Sequence, residues 1–262
     1  MRACTQTPFV TYASAVPEAL DLSGLSGAIS GNRPVLIKPN LINASPHPVT
    51  TPPDCCRALV KWLRTRHRDI PVVIAEGCGD PSLDTSDVFH ALGYDRLAAD
   101  LDIDLLDLNH APLDRIREPA NMIFSTAHYP EIAFSHFVIS VPVLKAHSLA
   151  DITGSLKNMV GFAPPEHYSG SGGYWKKAVF HQDMQLSITE WCRLRLPDFT
   201  IMDASIGLAD FHLGGRQCDP PVKKIIAGKN PLAVDRLAAD LLGRDWRSIG
   251  HLDETAQDAY GL

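Results

Sequence analysis

The 262-residue chain predicts an α/β fold: a three-layer sandwich around a mostly parallel or mixed sheet. Three observations predict it. Short β-rich apolar runs alternate with helical patterns along the chain, as they do when crossover helices join strands. The composition, 45% hydrophobic and 21% charged, is close to that of ordinary globular proteins, which supplies a core and excludes wholesale disorder. No internal repeat or charge block divides the sequence, so residues 1–262 are expected to form one domain, with a Gly-rich lid-like loop at about 163–175.

The first strand is expected at 34–38 (PVLIK), followed by a helix over 52–67. Thr51 is placed to cap that helix, with Asp54 completing a capping box. Its apolar positions Cys55, Cys56, Leu59, Val60 and Leu63 fall on one face. A second strand spans 72–75, followed by a Gly-rich turn and a helix over 86–92, and a third strand spans 103–108. Residues 115–133 carry weak signals, read as short strands at 122–124 and 132–134. A buried strand follows at 136–143, then a helix at 152–160. Beyond the lid-like loop come a helix at 182–194 and strands at 199–202 and 224–227. A last helix covers 231–242, with Asn230 as its cap, Pro231 in its first turn and Gly243 ending it.

Charge and composition exclude several functions. Lys and Arg number 24 against 30 Asp and Glu, a net charge of -6, which argues against general nucleic-acid binding. The longest apolar stretch, 132–144, is interrupted by Ser135, His136 and Ser140 and is too short to cross a bilayer. The first residues lack the apolar run of a signal peptide. Six cysteines form no C-x-x-C pair, so neither a disulfide framework nor a zinc or iron–sulfur site is expected, and the compartment expected is a reducing cytoplasm. A homodimer is compatible with the sequence.

Polar groups recur just past the carboxyl ends of the expected strands. They are Lys38 and Asn40, Glu76 with Gly77 and Gly79, Asp107 and Asn109, Lys145 and His147, and Asp203. In open α/β sheets ligands bind at that edge, so parallel strands would gather these groups into one cleft. Taken singly, each has a bland explanation. Lys38 can be a solvated strand-end lysine, and the Glu76–Gly79 turn lacks the third glycine of a dinucleotide fingerprint, Ser82 standing in its place. Lys145 and His147 can bind an anion and move a proton, or His147 can simply be hydrogen-bonded at a strand end. Lys157 and Asn158 lie near a helix start, where free N–H groups favour anions, but the residue order is wrong for a P-loop. His167 and His181 flank the lid-like loop without metal-binding spacing. Asp235 fits a helix start through the dipole alone, and His47 is expected exposed in a Pro-rich turn.

The segments VLIKPNL (35–41), AEG (75–77), VPVLKAHSLADITGSLKNMVG (141–161), IMDASIGL (201–208) and AGKNPLAVDRLAADLLG (227–243) resemble the family called domain of unknown function 362. The resemblance implies a soluble bacterial or archaeal α/β protein of largely unassigned biochemistry. The family's signature positions fall here on Lys38, Asn40, Glu76, Lys145, His147, Lys157, Asn158, Asp203 and Asp235. Many relatives carry ferredoxin-like cysteine motifs that hold iron–sulfur clusters; this chain has none, so a cluster of its own is not expected.

The reading that follows is an enzyme acting by acid–base chemistry on a small anionic metabolite, a carboxylate or phosphate. Lys38, Lys157, Asn40 and Asn158 would bind and orient it, with Glu76, Asp203 and Asp235 partnering the lysines. Lys145 would stabilise developing charge, and His147 or His181 would serve as general base or acid. Neither a metal nor another cofactor is evident. The alternatives are a non-catalytic carrier of an anionic ligand, and a redox protein using a bound metal or a partner's cluster.

Overall fold

In a computed structural model, which describes residues 4–29, 31, 33–170 and 175–262, the chain forms a mixed nine-stranded sheet with helices on both faces. Its strands are β1 (Thr5–Pro8), β2 (Val35–Pro39), β3 (Val72–Glu76), β4 (Asp104–Asp107), β7 (Phe137–Val141), β8 (Val143–His147), β9 (Asp151–Thr153), β10 (Phe199–Leu208) and β11 (Lys224–Gly228), while β5 (Leu113–Arg117) and β6 (Thr126–Pro130) make a separate hairpin. The main order is β1-β11-β10-β7-β2-β3-β4, and β8 branches from β10 and pairs with β9. The strands β10, β7, β2, β3 and β4 run parallel to one another, as does β8 to β10; β11 pairs antiparallel with β10, β1 with β11, and β9 with β8.

Strand periodicity divides the core into two layers. Val35 and Ile37 of β2, Ile139 of β7 and Ile201 of β10 face the helices Tyr12–Ser23 and Pro53–Arg66. The residues between them, Leu36, Val138 and Met202, face the helices Met184–Leu194 and Pro231–Leu241. The second layer is the more aromatic: the Trp191 ring meets Phe124, Tyr129, Tyr168 and Phe180 at centroid distances of 4.6–5.3 Å.

Several elements differ from the sequence expectation, each for a local reason. The expected strand at 136–143 is two strands, because Pro142 has no N–H and breaks the ladder, and its carbonyl accepts from Asp203 N instead. The expected helix at 152–160 is β9, a helical turn Ser155–Asn158 and a 3-10 turn Met159–Phe162. Residues 122–124 are not a strand; their three N–H groups converge on the buried Glu190 carboxylate at 2.6–3.1 Å. Residues Ile132–Ser135 form a helical turn. Thr51 caps no helix: its hydroxyl accepts from Asn40 N and donates to the Val141 carbonyl, tying the exit of β2 to that of β7, while Asp54 stays exposed. The Asn230 cap is present, accepting from Ala233 N. The lid-like loop begins as a helical turn, Pro165–Tyr168, pinned by the buried Tyr168; its residues 171–174 lie outside the described residues.

Replacing Glu190 with alanine would leave three N–H groups without their acceptor, and a buried unsatisfied group costs about 1–3 kcal/mol. Urea denaturation of Glu190→Ala is expected to show a loss of at least that size.

Candidate functional site

The parallel strands deliver Lys38, Glu76, Lys145 and His147 to one edge of the sheet, whereas Asp203, expected just past a strand at 199–202, lies inside β10, which continues to Leu208. These residues separate into a buried frame and a cleft. The frame is centred on Lys38. Its ammonium donates to Glu76 Oε1 at 2.7 Å, Asn158 Oδ1 at 3.1 Å and the Pro39 carbonyl at 3.1 Å. Glu76 also accepts from the N–H groups of Leu41 and Gly77, both at 2.9 Å. Asn158 donates to the Lys38 carbonyl and Ser140 Oγ, and Asn40 Nδ2 donates to Asn158 Oδ1. Lys38, Glu76 and Asn158 are at most 3% exposed. Burial pulls the Lys38 ammonium below its ordinary pKa while Glu76 pulls it back up. A Cβ at Gly161 would fall onto the Lys38–Glu76 pair, so glycine is what lets the backbone close over it. Gly77 donates to Glu76, and Gly79 to the Ile42 carbonyl, so this turn is not an open phosphate cradle.

Asp235 and Asp203 also lie outside the cleft lining. The fully buried Asp235 carboxylate accepts from Ser155 N at 2.6 Å and Leu156 N at 2.9 Å, occupying the start of the short helix that carries Lys157. Burial pushes Asp235 up to about 7, against the pull of those two donors. Asp203 accepts from the Tyr12 hydroxyl at 2.7 Å and from Ser205 N at 2.8 Å, and it pairs with His47 at 3.1 Å. Burial alone would raise Asp203, but the His47 hydrogen bond and charge, with the Ser205 bonds, take it below the usual carboxylate range. His47 is therefore partnered rather than the exposed residue the sequence suggested. The two aspartates hold the carriers of the cleft, the helical turn 155–158 and the 42–51 loop, instead of facing a ligand.

The cleft has a volume of about 340 Å³ and is reached by Asn40, Lys145, His147, Lys157 and His181 among the expected residues. Lys145 and His147 lie two apart on β8 and so share one face. Lys145 Nζ donates to the Val49 carbonyl at 2.5 Å, and burial with the nearby Lys157 charge brings it down to about 7. Lys157 is half-buried and brought down to about 8 by burial and by Lys38. Among the described residues its ammonium has neither a hydrogen bond nor an ion pair.

His147 Nδ1 accepts from Leu149 N and Ala150 N, both at 3.1 Å. Those partners assign the proton to Nε2, so this residue presents a donor rather than a base. Burial and the surrounding Lys157, His212 and Lys145 charges depress its pKa far below neutrality. The ring stacks on His212 at 3.8 Å. His181 is exposed at the cleft wall, its pKa lowered by desolvation and by Lys157, and its imidazole has no hydrogen bond among the described residues. Among the described residues, three buried polar atoms of the cleft lack partners: Asn40 Oδ1, Thr153 Oγ1 and His212 Nδ1.

The sequence reading missed Lys177 and His212. Lys177 donates to Asn109 Oδ1 at 2.9 Å and to the carbonyls of Gly161 at 3.2 Å and Ala163 at 2.5 Å, which bridges the frame to the cleft. Burial brings it down to about 7. A basic pair directly after a Gly-rich loop, Lys176-Lys177, was the available signal; His212 arrives on the turn after β10 with none.

The match to the model of Domain of unknown function (DUF362) covers residues 35–240, and the chain belongs to that family. A comparison with curated proteins finds no match. Five solved chains match. One of them, the lactate racemase apoprotein from Thermoanaerobacterium thermosaccharolyticum, aligns over 90% of this chain with a TM-score of 0.55 and 13% identity. It shares the fold, and this chain spans 56% of its length. Among the described residues no group of three or more His, Cys, Asp or Glu side chains is placed to hold a metal, and no helix is long and apolar enough to cross a membrane.

The paired and the unpaired lysine respond differently to substitution. Breaking a buried pair strands a charge, a cost of about 3–5 kcal/mol, so Glu76→Ala is expected to destabilise by that amount. Lys157→Ala removes an unpaired, half-buried cation and is expected to leave stability unchanged or raised. Paired chemical-denaturation curves check both.

Proposed function

We propose that the chain is an acid–base enzyme acting on a small carboxylate, with a hydroxyl on or near the carbon beside it. One observation carries the reading: the ammonium of Lys157 meets a cleft whose wall holds unpartnered buried acceptors. An anion complements Lys157, a hydroxyl donor complements Asn40 Oδ1, and the Thr153 hydroxyl accepts or donates as needed. In this otherwise acidic chain, Lys145, Lys157 and Lys177 focus positive potential at the strand ends. The fold neighbour's name refers to lactate, a hydroxy carboxylate, which agrees with this class of substrate.

In the proposed reaction Lys157 binds the carboxylate. His181, neutral at pH 7 with a free lone pair, takes the proton from the adjacent carbon. The electron pair moves into the carboxylate, and Lys145 with the Nε2–H of His147 stabilises the charge that develops there. His181 then delivers that proton to the hydroxyl departing from the next carbon, which completes an elimination of water. Every step uses this chain's own side chains. His147, expected from the sequence to share the base or acid role with His181, becomes a donor here because the Leu149 and Ala150 N–H groups occupy its Nδ1.

The lysines set the pH response. Both are charged below about 7, and they lose their protons as the pH rises through about 7 and 8. Affinity for lactate or inorganic phosphate is therefore expected to be greatest below pH 7 and to fall across pH 7–9, while turnover declines at low pH as His181 is protonated. Calorimetric titration from pH 5.5 to 9 checks the first, and Lys157→Ala should lose binding at every pH. Turnover of a responsive substrate is expected to survive dialysis against a chelator and to fall at least a hundredfold in His181→Ala.

A further inference from the structure

The cleft is cationic at its floor and apolar at its mouth. Leu149, Trp175, Phe211 and Leu213 line it at 50, 44, 44 and 36% exposure, four of the nine large hydrophobic side chains standing in solvent among the described residues. The other five, Val10, Leu22, Met122, Phe134 and Leu262, do not line it. Such side chains are ordinary when scattered; gathered around one concavity they mark a surface that something apolar covers.

Two aromatic contacts join this rim to the polar layer beneath. Phe211 lies edge-on to His212 at 4.9 Å, and His212 stacks on His147. On the other wall Trp175 lies edge-on to His181 at 6.5 Å. Further down, Phe180 and Met184 continue the apolar wall. A volume of about 340 Å³ falls within the ~300–1,000 Å³ of pockets that enclose organic ligands. A three-carbon acid held at Lys157 would leave the rim in water.

We infer that the substrate is an amphipathic acid, whose carboxylate sits at Lys157 and whose aliphatic or aromatic body extends along Phe211, Leu213, Leu149 and Trp175. This inference rests on the carboxylate-site reading and extends it from the head group to the body of the molecule. The rim is then a specificity surface: it adds affinity in proportion to the apolar area it covers and leaves the chemistry at the floor unchanged.

The test is an NMR shift titration of the full chain with lactate, 2-hydroxybutanoate and 2-hydroxyhexanoate. Affinity is expected to rise about fourfold for each methylene seated on the rim, the fold-change equivalent to ~0.8 kcal/mol. The double variant Phe211→Ser, Leu213→Ser should lose at least tenfold in 2-hydroxyhexanoate affinity and stay within twofold for lactate. Both side chains are exposed, so the variant is expected to fold, and its melting curve verifies that. Equal affinity along the series, with Lys157→Ala still abolishing binding, overturns the rim assignment and keeps the carboxylate site. No binding of any acid overturns the site reading itself. A concentration-dependent dimer that the double variant dissolves, seen by sedimentation, shows the rim covered by a second copy and overturns the inference.

Discussion

An ammonium buried with almost no exposure needs an acceptor on every side, and Lys38 finds its acceptors in three different parts of the chain. Glu76 comes from the end of β3, Asn158 from the helical turn after β9, and Pro39 from its own strand. This requirement fixes how β2 and β3 end and where the 155–158 turn must sit. The adjoining geometry follows from it. Gly161 has no side chain because one would strike the pair, and Lys177 reaches the Gly161 carbonyl because the backbone lies close. Lys157, next to Asn158 in sequence, is thereby aimed into the cleft. A buried charge with a full set of partners thus positions one whose ammonium has none among the described residues.

Asp235 and Asp203 extend the same logic outward. Asp235 closes the start of the turn bearing Lys157, and Asp203 fastens the loop around His47. That loop supplies the Val49 carbonyl that receives Lys145. Of the chain's signature polar residues, then, those with complete sets of partners build the frame, and those with unused donors or acceptors face the cleft. Satisfaction of hydrogen bonds, more than charge, distinguishes the two groups.

Much of this was legible in the sequence. Apolar runs alternating with helical patterns gave the sandwich, and polar residues after successive strands gave the edge at which the cleft lies. The K-x-H spacing placed Lys145 and His147 on one face because a strand repeats every second residue. Roles were less legible than positions, since Lys38 and Lys157 look alike until their partners are known. The Leu149 and Ala150 N–H groups that turn His147 into a donor come from a turn whose shape no local pattern announces. β1 and the helix Tyr12–Ser23 escaped notice for a related reason. TQTP buries only Thr7 fully, and its strand character comes from pairing with β11, more than 200 residues away. Likewise, 122–124 looked like a strand because it is an apolar run, but Phe124 and Ile123 pack on the core while Met122 stands in solvent, and the three N–H groups go to Glu190, far along the chain.

The proposed chemistry requires Lys157 to be a desolvated cation that awaits an anion, and its side-chain titration measures this directly. With lysine side chains labelled at the ε carbon, and Lys157→Arg used to assign the resonance, Lys157 is expected to titrate near 8 in the free protein and to move upward when lactate or phosphate is added. A lysine titrating at its ordinary value near 10.4 and indifferent to both anions would contradict that chemistry at its centre.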